Sequence, residues 1–412
     1  MSGRECSMTN ELSDPWSTNA KGAVTRTLVT DIHRWLSHGS LLLIVFAQVL
    51  LTLLIAPPSI CKTQGAITFG WKQPVDQPIC LAMSAGCQYY GVVERDGTVR
   101  LYNANGRLMW KQEVDGATNV LIAKNCQSVL VYSKLNPSHQ YISFYTRDGR
   151  RLWRHEVEGN VWAGAISPDG TLAAITTSEQ YVYVYKPDPK RPSYRRWRLD
   201  GVGYQVTFSG DSNRVIVGTS DESALVCYDV YGRFQWRYRH SRDTRYHLCI
   251  SGDGRRILGV LPGTADDPGM EFCLWDSGGR RLWKRSMSAF DARAVVSPQS
   301  RYVAVSYACY LGDNESQAVE RRVAVYSSTG RLLWEKGGLF FEPHLVALSP
   351  KGSSVIVSDG EKSLYNIDNR GKLLSKYTLP ATLRETVASE DGRAILLYCG
   401  NGWLYLVRVS ED

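Results

Sequence analysis

After residue 64 the chain repeats one pattern: four short apolar runs separated by polar turns rich in glycine, serine and aspartate. The segment from His344 to Tyr377 shows it clearly, with the runs HLVALS, SVIVSD, SLYNID and KLLSKY. Each run either alternates between apolar and polar residues or is wholly apolar, and turn residues bound it, which is typical of strands rather than helices. The pattern therefore predicts a four-stranded antiparallel unit that recurs along the chain.

Two independent sets of recurring positions in the sequence give the number of these units. A turn ends the first strand of each unit, near Ser84, Lys124, Ser167, Ser209, Ser251, Ser297, Ser349 and Ser389. A tryptophan recurs later in each unit, at Trp71, Trp110, Trp153, Trp197, Trp236, Trp283 and Trp334, and Ser375 takes the eighth place. These positions are separated by 39 to 51 residues, and such a period with four strands per unit indicates propeller blades, which must stack to bury their faces. We predict an all-β fold, an eight-bladed β-propeller, with seven blades as the alternative.

The two ends of the repeat region complement each other. After Ser389 the chain supplies only two more strands, so the last unit lacks its fourth. The segment ITFGWKQPV, from Ile67 to Val75, carries Trp71 but precedes any first strand. Pairing this segment with the last blade would satisfy backbone groups at an otherwise open edge. We therefore predict a ring that is closed by an N-terminal strand.

The repeated tryptophans are interpreted as structural residues. A buried indole removes about 150 to 250 Å² from water, which at about 25 cal/mol/Å² gives an upper bound of several kcal/mol for each residue. Seven such side chains in register would hold neighbouring blades together.

The segment before the repeats predicts a membrane anchor. From Trp35 to Cys61 there is no Asp, Glu, Lys or Arg, and about twenty apolar residues span roughly 30 Å of hydrocarbon. The alternative, a cleaved signal peptide, would call for a shorter apolar region followed by an A-x-A-like site. We predict a flexible tail at residues 1–35, a transmembrane helix at 36–61 and the propeller at 64–412. Three basic residues precede the helix closely and two follow it, which favours a propeller outside the cytoplasmic membrane.

Composition narrows the classes of partner. The net charge of +8 is spread over many repeats without a dense Lys/Arg run, so no nucleic-acid partner is predicted. The ten cysteines lack CxxC spacing, and the seven histidines form no recognised motif, so neither a metal site nor a catalytic constellation is predicted.

Five turns carry a specific resemblance. The stretches are YNANGRLMW (102–110), YTRDGRRLW (145–153), YDVYGRFQW (228–236), WDSGGRRLW (275–283) and YSSTGRLLW (326–334). They resemble the quinoprotein-like, or PQQ-like, β-propeller repeat, whose members carry a Gly-x-x-x-Trp docking motif. Quinone-dependent dehydrogenases of this kind have an adjacent Cys-Cys pair and calcium-coordinating acids, and this sequence has no Cys-Cys. The resemblance therefore implies the membrane-anchored, non-catalytic type without a cofactor, acting as a protein- or ligand-binding scaffold. The alternatives are a propeller hydrolase or oxidoreductase that uses the channel mouth, and a ligand sensor.

Two candidate surfaces follow from the blade geometry. First strands line the central channel, so the residues four or five places before each serine landmark are expected at its mouth: Trp162, Tyr204, His247, Arg293, His344, Arg384 and Glu385. The loops between second and third strands expand in two consecutive blades, at Pro262 to Met270 and Tyr307 to Glu320. Loop extensions on a rigid scaffold commonly carry binding specificity, and the predicted partner-binding residues there are Asp266, Asp267, Asp313, Asn314 and Glu315.

Overall fold

The computed structural model describes residues 67–84, 86–123, 126–134, 141–188, 193–220, 224–239, 247–262, 269–310, 319–338, 344–349, 351–389 and 392–409. These residues form strands joined by turns, and none of them belongs to a helix of the length and apolarity that crossing a bilayer demands. The transmembrane helix predicted at 36–61 and the tail before it lie outside the described residues.

The strands of the first four blades follow one another in chain order after β1 (Ile67–Pro74). Blade 1 contains β2 (Pro78–Met83), β3 (Tyr89–Glu94), β4 (Thr98–Asn103) and β5 (Leu108–Glu113). Blade 2 contains β6 (Asn119–Ile122), β7 (Val129–Tyr132), β8 (Tyr141–Tyr145) and β9 (Arg151–Glu156). Blade 3 contains β10 (Val161–Ile166), β11 (Ala173–Thr177), β12 (Tyr181–Lys186) and β13 (Ser193–Arg198). Blade 4 contains β14 (Gly203–Phe208), β15 (Arg214–Thr219), β16 (Ala224–Asp229) and β17 (Phe234–Arg239).

The remaining blades repeat the same antiparallel order. Blade 5 contains β18 (His247–Ile250), β19 (Arg256–Pro262), β20 (Met270–Asp276) and β21 (Arg281–Met287). Blade 6 contains β22 (Phe290–Val296), β23 (Tyr302–Tyr310), β24 (Val319–Ser327) and β25 (Leu332–Gly337). Blade 7 contains β26 (His344–Leu348), β27 (Ser354–Ser358), β28 (Ser363–Asp368) and β29 (Leu373–Thr378). Blade 8 contains β30 (Leu383–Ala388), β31 (Ala394–Cys399), β32 (Trp403–Val409) and, as its fourth strand, β1.

The all-β, eight-bladed architecture of four-stranded antiparallel sheets is confirmed for the described residues. In blade 8, β1 runs antiparallel to β32, with Ile67 opposite Val409 and Pro74 opposite Trp403. A bulge between Phe69 and Trp71 interrupts this ladder. The N-terminal and C-terminal strands of the propeller therefore belong to one sheet.

The apolar core lies between blades rather than within them. One buried cluster joins Val182 of blade 3 to Val217 of blade 4. Another joins Tyr90 and Val92 of blade 1 to Leu406 of blade 8. Each sheet has two apolar faces that it cannot bury by itself, so every blade depends on both adjacent blades.

The recurrent tryptophans lie at these interfaces. The turn glycine after β4 has a φ of +77°, and a Cβ atom there would lie 2.6 Å from Cγ of Trp71 in the preceding blade. The same glycine-on-indole contact joins Trp110 to Gly149, with equivalents at Trp197 and Gly232, Trp236 and Gly279, Trp283 and Gly330, and Trp334 and Gly371. Glycine is required at these positions both for its positive φ and for the absence of a side chain.

Hydrogen bonds reinforce some of the indole contacts. The Nε1–H of Trp110 donates to the carbonyl oxygen of Arg147 at 3.0 Å, and Trp71 and Trp283 make equivalent bonds to Ala104 and Ser328. Trp153 departs from the pattern because the sequence between β12 and β13 of the third blade, residues 187–192, contains no glycine. Its ring instead stacks on Phe144 of its own blade, with centroids 5.2 Å apart and planes 10° from parallel.

Candidate functional site

A β-bulge recurs where the first strand of a blade enters the channel. The ladder between first and second strands shifts register at this point in six of the blades. The residues that fall in the shift are Ile79, Trp162, Tyr204, Asp291 with Ala292, Val346 and Arg384. A bulge re-aims side chains and increases local twist, so this repeated irregularity changes the residue that is placed at the channel mouth in these six blades.

Blades 3 and 4 form an aromatic sector of this mouth. The rings of Trp162 and Tyr204 pack edge to face, with centroids 4.5 Å apart and planes at 88°. This geometry is the preferred one for aromatic pairs and contributes about 0.5–1.5 kcal/mol beyond area burial. The indole Nε1–H of Trp162 is buried without a hydrogen-bond partner among the described residues. The sector thus offers an aromatic surface to a bound group.

A hydrogen bond continues this sector into blade 5. The Oε1 atom of Gln205 accepts from the backbone N–H of Leu248 at 2.5 Å. Because this bond joins the first strands of neighbouring blades, it fixes their spacing beside the aromatic pair. Sequence analysis had placed the mouth residue of blade 5 at His247, and its backbone lies at the first position of β18, opposite Val260.

Blade 8 supplies a charged sector. Both Arg384 and Glu385 are exposed at the start of β30. Partial burial raises the pKa of the Glu385 carboxyl above its ordinary value, and the positive charge of Arg293 on blade 6 acts in the opposite direction. In a ring of eight blades, blade 8 lies opposite blade 4. The mouth is therefore polarised, with an aromatic side facing a charged side.

A cysteine lies beside the charged sector. Burial raises the pKa of the Cys80 thiol on β2, a hydrogen bond involving the Val120 backbone opposes this rise, and the negative charge of Glu385 adds to it. A reactive cysteine needs a lowered pKa so that the thiolate is populated at neutral pH. Cys80 is held as the neutral thiol, so its surroundings do not activate it as a nucleophile.

The mouth of blade 6 is organised by an ion pair. Asp291 has a φ of +46° within the bulge of β22, and its carboxylate accepts from Arg321 Nη1 at 2.9 Å. Nearby, Arg322 pairs with both Glu320 and Glu335, and the Tyr307 hydroxyl donates to Glu335. Sequence analysis missed this network because its members come from all four strands of blade 6 and only the ladder brings them together.

Of the remaining predicted residues, the structure describes those on first strands but not those in the two expanded loops. His344 begins β26, with its backbone opposite Ser358, whereas Arg293 is the fourth residue of β22, after the bulge. The loop residues Asp266, Asp267, Asp313, Asn314 and Glu315 all lie outside the described residues. Where the chain is described, no three histidine, cysteine, aspartate or glutamate side chains converge as ligands of a metal ion would.

Fold, repeat and mouth together define a class: an eight-bladed β-propeller with a channel lined by first strands, whose turns resemble PQQ-like repeats. Residues 138–338 match the family model described as outer membrane protein assembly factor BamB. This match confirms the resemblance to PQQ-like repeats from β8 of blade 2 to β25 of blade 6. A comparison with curated proteins finds no match.

Solved structures share the fold at low sequence identity. The Dos1 propeller superimposes with a TM-score of 0.64 at 13% identity, covering 83% of this chain and 95% of that one. BamB from Moraxella catarrhalis gives a TM-score of 0.59 at 14% identity, covering 83% and 100%. The C-terminal WD40 domain of Sif2 gives 0.60 at 11% identity, covering 84% and 98%. Likeness at these identities concerns the fold alone.

Proposed function

We propose that this chain is a membrane-anchored propeller scaffold that holds a protein partner or ligand at the channel mouth, outside the cytoplasmic membrane, without catalysing a reaction. The observation that supports binding at the channel mouth is the polarised arrangement of its residues. Its bulges present Trp162 and Tyr204 on one side, and Arg384 and Glu385 lie on the other. Aromatic anchors and a few convergent polar groups in a concave wall are what binding sites use.

Two comparisons support the scaffold role. The family model matched by residues 138–338 is named for an assembly factor, and BamB from Moraxella catarrhalis shares the fold. The neutral Cys80 thiol is consistent with binding rather than with nucleophilic chemistry. The antiparallel pairing of β1 with β32 supports a closed ring, in which the mouth keeps one shape because no blade can separate from its neighbours.

The binding proposal is tested by affinity capture of the full-length protein from membranes. The double variant Trp162→Ala with Tyr204→Ala removes the aromatic sector. A matched control, Leu108→Ala with Leu373→Ala, removes two exposed apolar side chains from outer strands. A partner captured by the intact protein and the control, but lost from the mouth variant, supports the proposal. Identical partner lists for all three proteins contradict it.

The topology is tested separately. Protease added to intact cells is expected to degrade the propeller while a tag on residues 1–35 stays protected. Full protection of the propeller until the cells are lysed would overturn the proposed orientation.

A further inference from the structure

Three consecutive outer strands concentrate the positive charge of the propeller. β13 (SYRRWR), β17 (FQWRYR) and β21 (RLWKRSM) contain three, two and three Lys or Arg residues respectively, and no Asp or Glu. Each of the other five outer strands has a net charge of zero or plus one. We call this surface of blades 3 to 5 the basic wall, comprising Arg195, Arg196, Arg198, Arg237, Arg239, Arg281, Lys284 and Arg285.

Some of these charges are compensated within the chain. Arg196 pairs with Glu158, Arg237 with Asp200 and Lys284 with Glu271, in each case through an acid from another segment. These pairs hold part of the wall in place, and the exposed pair of Arg196 and Glu158 contributes little stability.

Three other arginines of the basic wall contact uncharged groups rather than acids. The Arg195 guanidinium lies over the ring of Tyr231, 4.5 Å from its centroid. Arg281 donates to the Tyr238 hydroxyl at 3.1 Å. Arg285 donates to the Gly330 carbonyl at 3.0 Å. Each guanidinium is therefore oriented by a neighbour that leaves its full positive charge for an anionic group.

Exposed aromatic rings accompany the charges. Tyr194, Tyr231 and Phe234 leave 45%, 60% and 58% of their surface in solvent. Tyr194 and Phe234 lie at the start of β13 and β17, and Tyr231 lies in the turn before β17. Arginine together with tyrosine is the combination enriched where proteins bind one another. The wall therefore offers apolar contact beside its charge.

The shape of the wall selects among anionic partners. Outer strands lie on the circumference, and blades 3 to 5 span two of the eight blade-to-blade steps, a quarter of the ring. A flat bilayer touches such a convex surface along one blade only, whereas a flexible chain can follow it. The outer strands are also sheet edges, whose backbone groups a polypeptide can pair with and a nucleic acid cannot. We propose that the basic wall binds an acidic, extended segment of a partner polypeptide.

The proposal is tested with full-length protein and three probes: a fluorescent poly-glutamate peptide, phosphatidylglycerol vesicles and oligo-dT. The wall variant carries Arg195→Glu, Arg281→Glu and Arg285→Glu. The control carries Lys72→Glu, Lys111→Glu and Lys376→Glu on the outer strands β1, β5 and β29, so both variants have the same net charge. Thermal unfolding of both variants checks that the fold is intact.

We expect poly-glutamate to bind the intact protein with an affinity that falls as salt rises, and the wall variant to lose at least about tenfold in affinity while the control loses little. Equal losses in the two variants, or no binding to the intact protein, would overturn the proposal. Tighter wall-dependent binding of vesicles or oligo-dT would overturn the choice of a polypeptide. Capture of a partner through the mouth is a separate experiment, so either proposal can fail without the other.

Discussion

Replacing Gly149 with alanine tests whether the contacts between each tryptophan and the turn glycine of the next blade dock the blades together. Gly149 is buried with a φ of +85°, and an added Cβ atom would lie 2.8 Å from Cγ of Trp110 in the preceding blade. The positive φ alone costs about 1 kcal/mol for a residue with a side chain. Overpacking against the indole adds about 1–3 kcal/mol. We expect a total loss of about 2–4 kcal/mol in the free energy of unfolding.

The matched control is Gly86→Ala. Gly86 has a φ of +86°, but a Cβ atom there meets nothing within 4 Å, so this variant has the backbone cost without the clash. Urea unfolding of the two variants isolates the docking contribution, and a double-mutant cycle with Trp110→Ala tests its origin. With the indole removed, Gly149→Ala should cost no more than Gly86→Ala. Equal losses for the two glycine variants in the wild-type background would refute the docking argument.

Three further predictions concern the turns, the mouth and the ring. Gly254→Ala should destabilise more than Gly149→Ala, because its Cβ would lie 1.9 Å from Cα of Gly210 in the neighbouring blade, where only backbone can move; urea unfolding measures the difference. The folded protein holds the Glu385 proton more tightly than the unfolded chain does, so this group's contribution to stability falls as pH rises from its unfolded pKa of about 4.3 through its higher folded pKa. The measurement is the melting temperature across this pH range. Arg293→Gln should extend the pH-dependent loss of stability to higher pH, and Glu385→Gln should abolish the part of that loss that comes from this carboxyl. Deleting residues 67–74 should expose the edge of β32 and cause concentration-dependent aggregation, measured by light scattering, whereas a monomeric product of unchanged melting temperature would contradict a closing role for β1.

The blade architecture was predictable because its signals are local. Alternating apolar positions, turn glycines and a constant tryptophan spacing each act within one hairpin. The hairpin of β23 and β24 was predicted less well. Sequence analysis assigned Tyr307 to Glu320 to a loop, but the ladder continues as far as the pair of Tyr310 and Val319. Phe290 stacks on Tyr310 at 4.7 Å, a contact between strands that the composition of the loop does not reveal.

The residues at the channel mouth were predictable from the sequence, but the contacts that arrange them were not. Counting back from the serine turns located Trp162, Tyr204 and Arg384, because the first strand of each of these three blades has six residues. The bulges that turn these residues, and the proximity of Cys80 to Glu385, arise from contacts between blades. A single sequence contains no direct signal for such contacts, because the partners lie on different repeats and in one case at opposite ends of the chain.

A repeat protein can lose one docking contact because the others maintain the ring. Blade 3 illustrates this: its sequence at 187–192 has no glycine, Trp153 of blade 2 stacks on Phe144 of blade 2 instead, and the strand after this segment, β13, begins the basic wall. The aromatic sector of the mouth also starts in this blade, at Trp162. Where a blade departs from the repeat, the departure is not needed for folding, so selection for binding is free to act there. Blade 3 is therefore where substitutions should alter partner capture most while altering stability least.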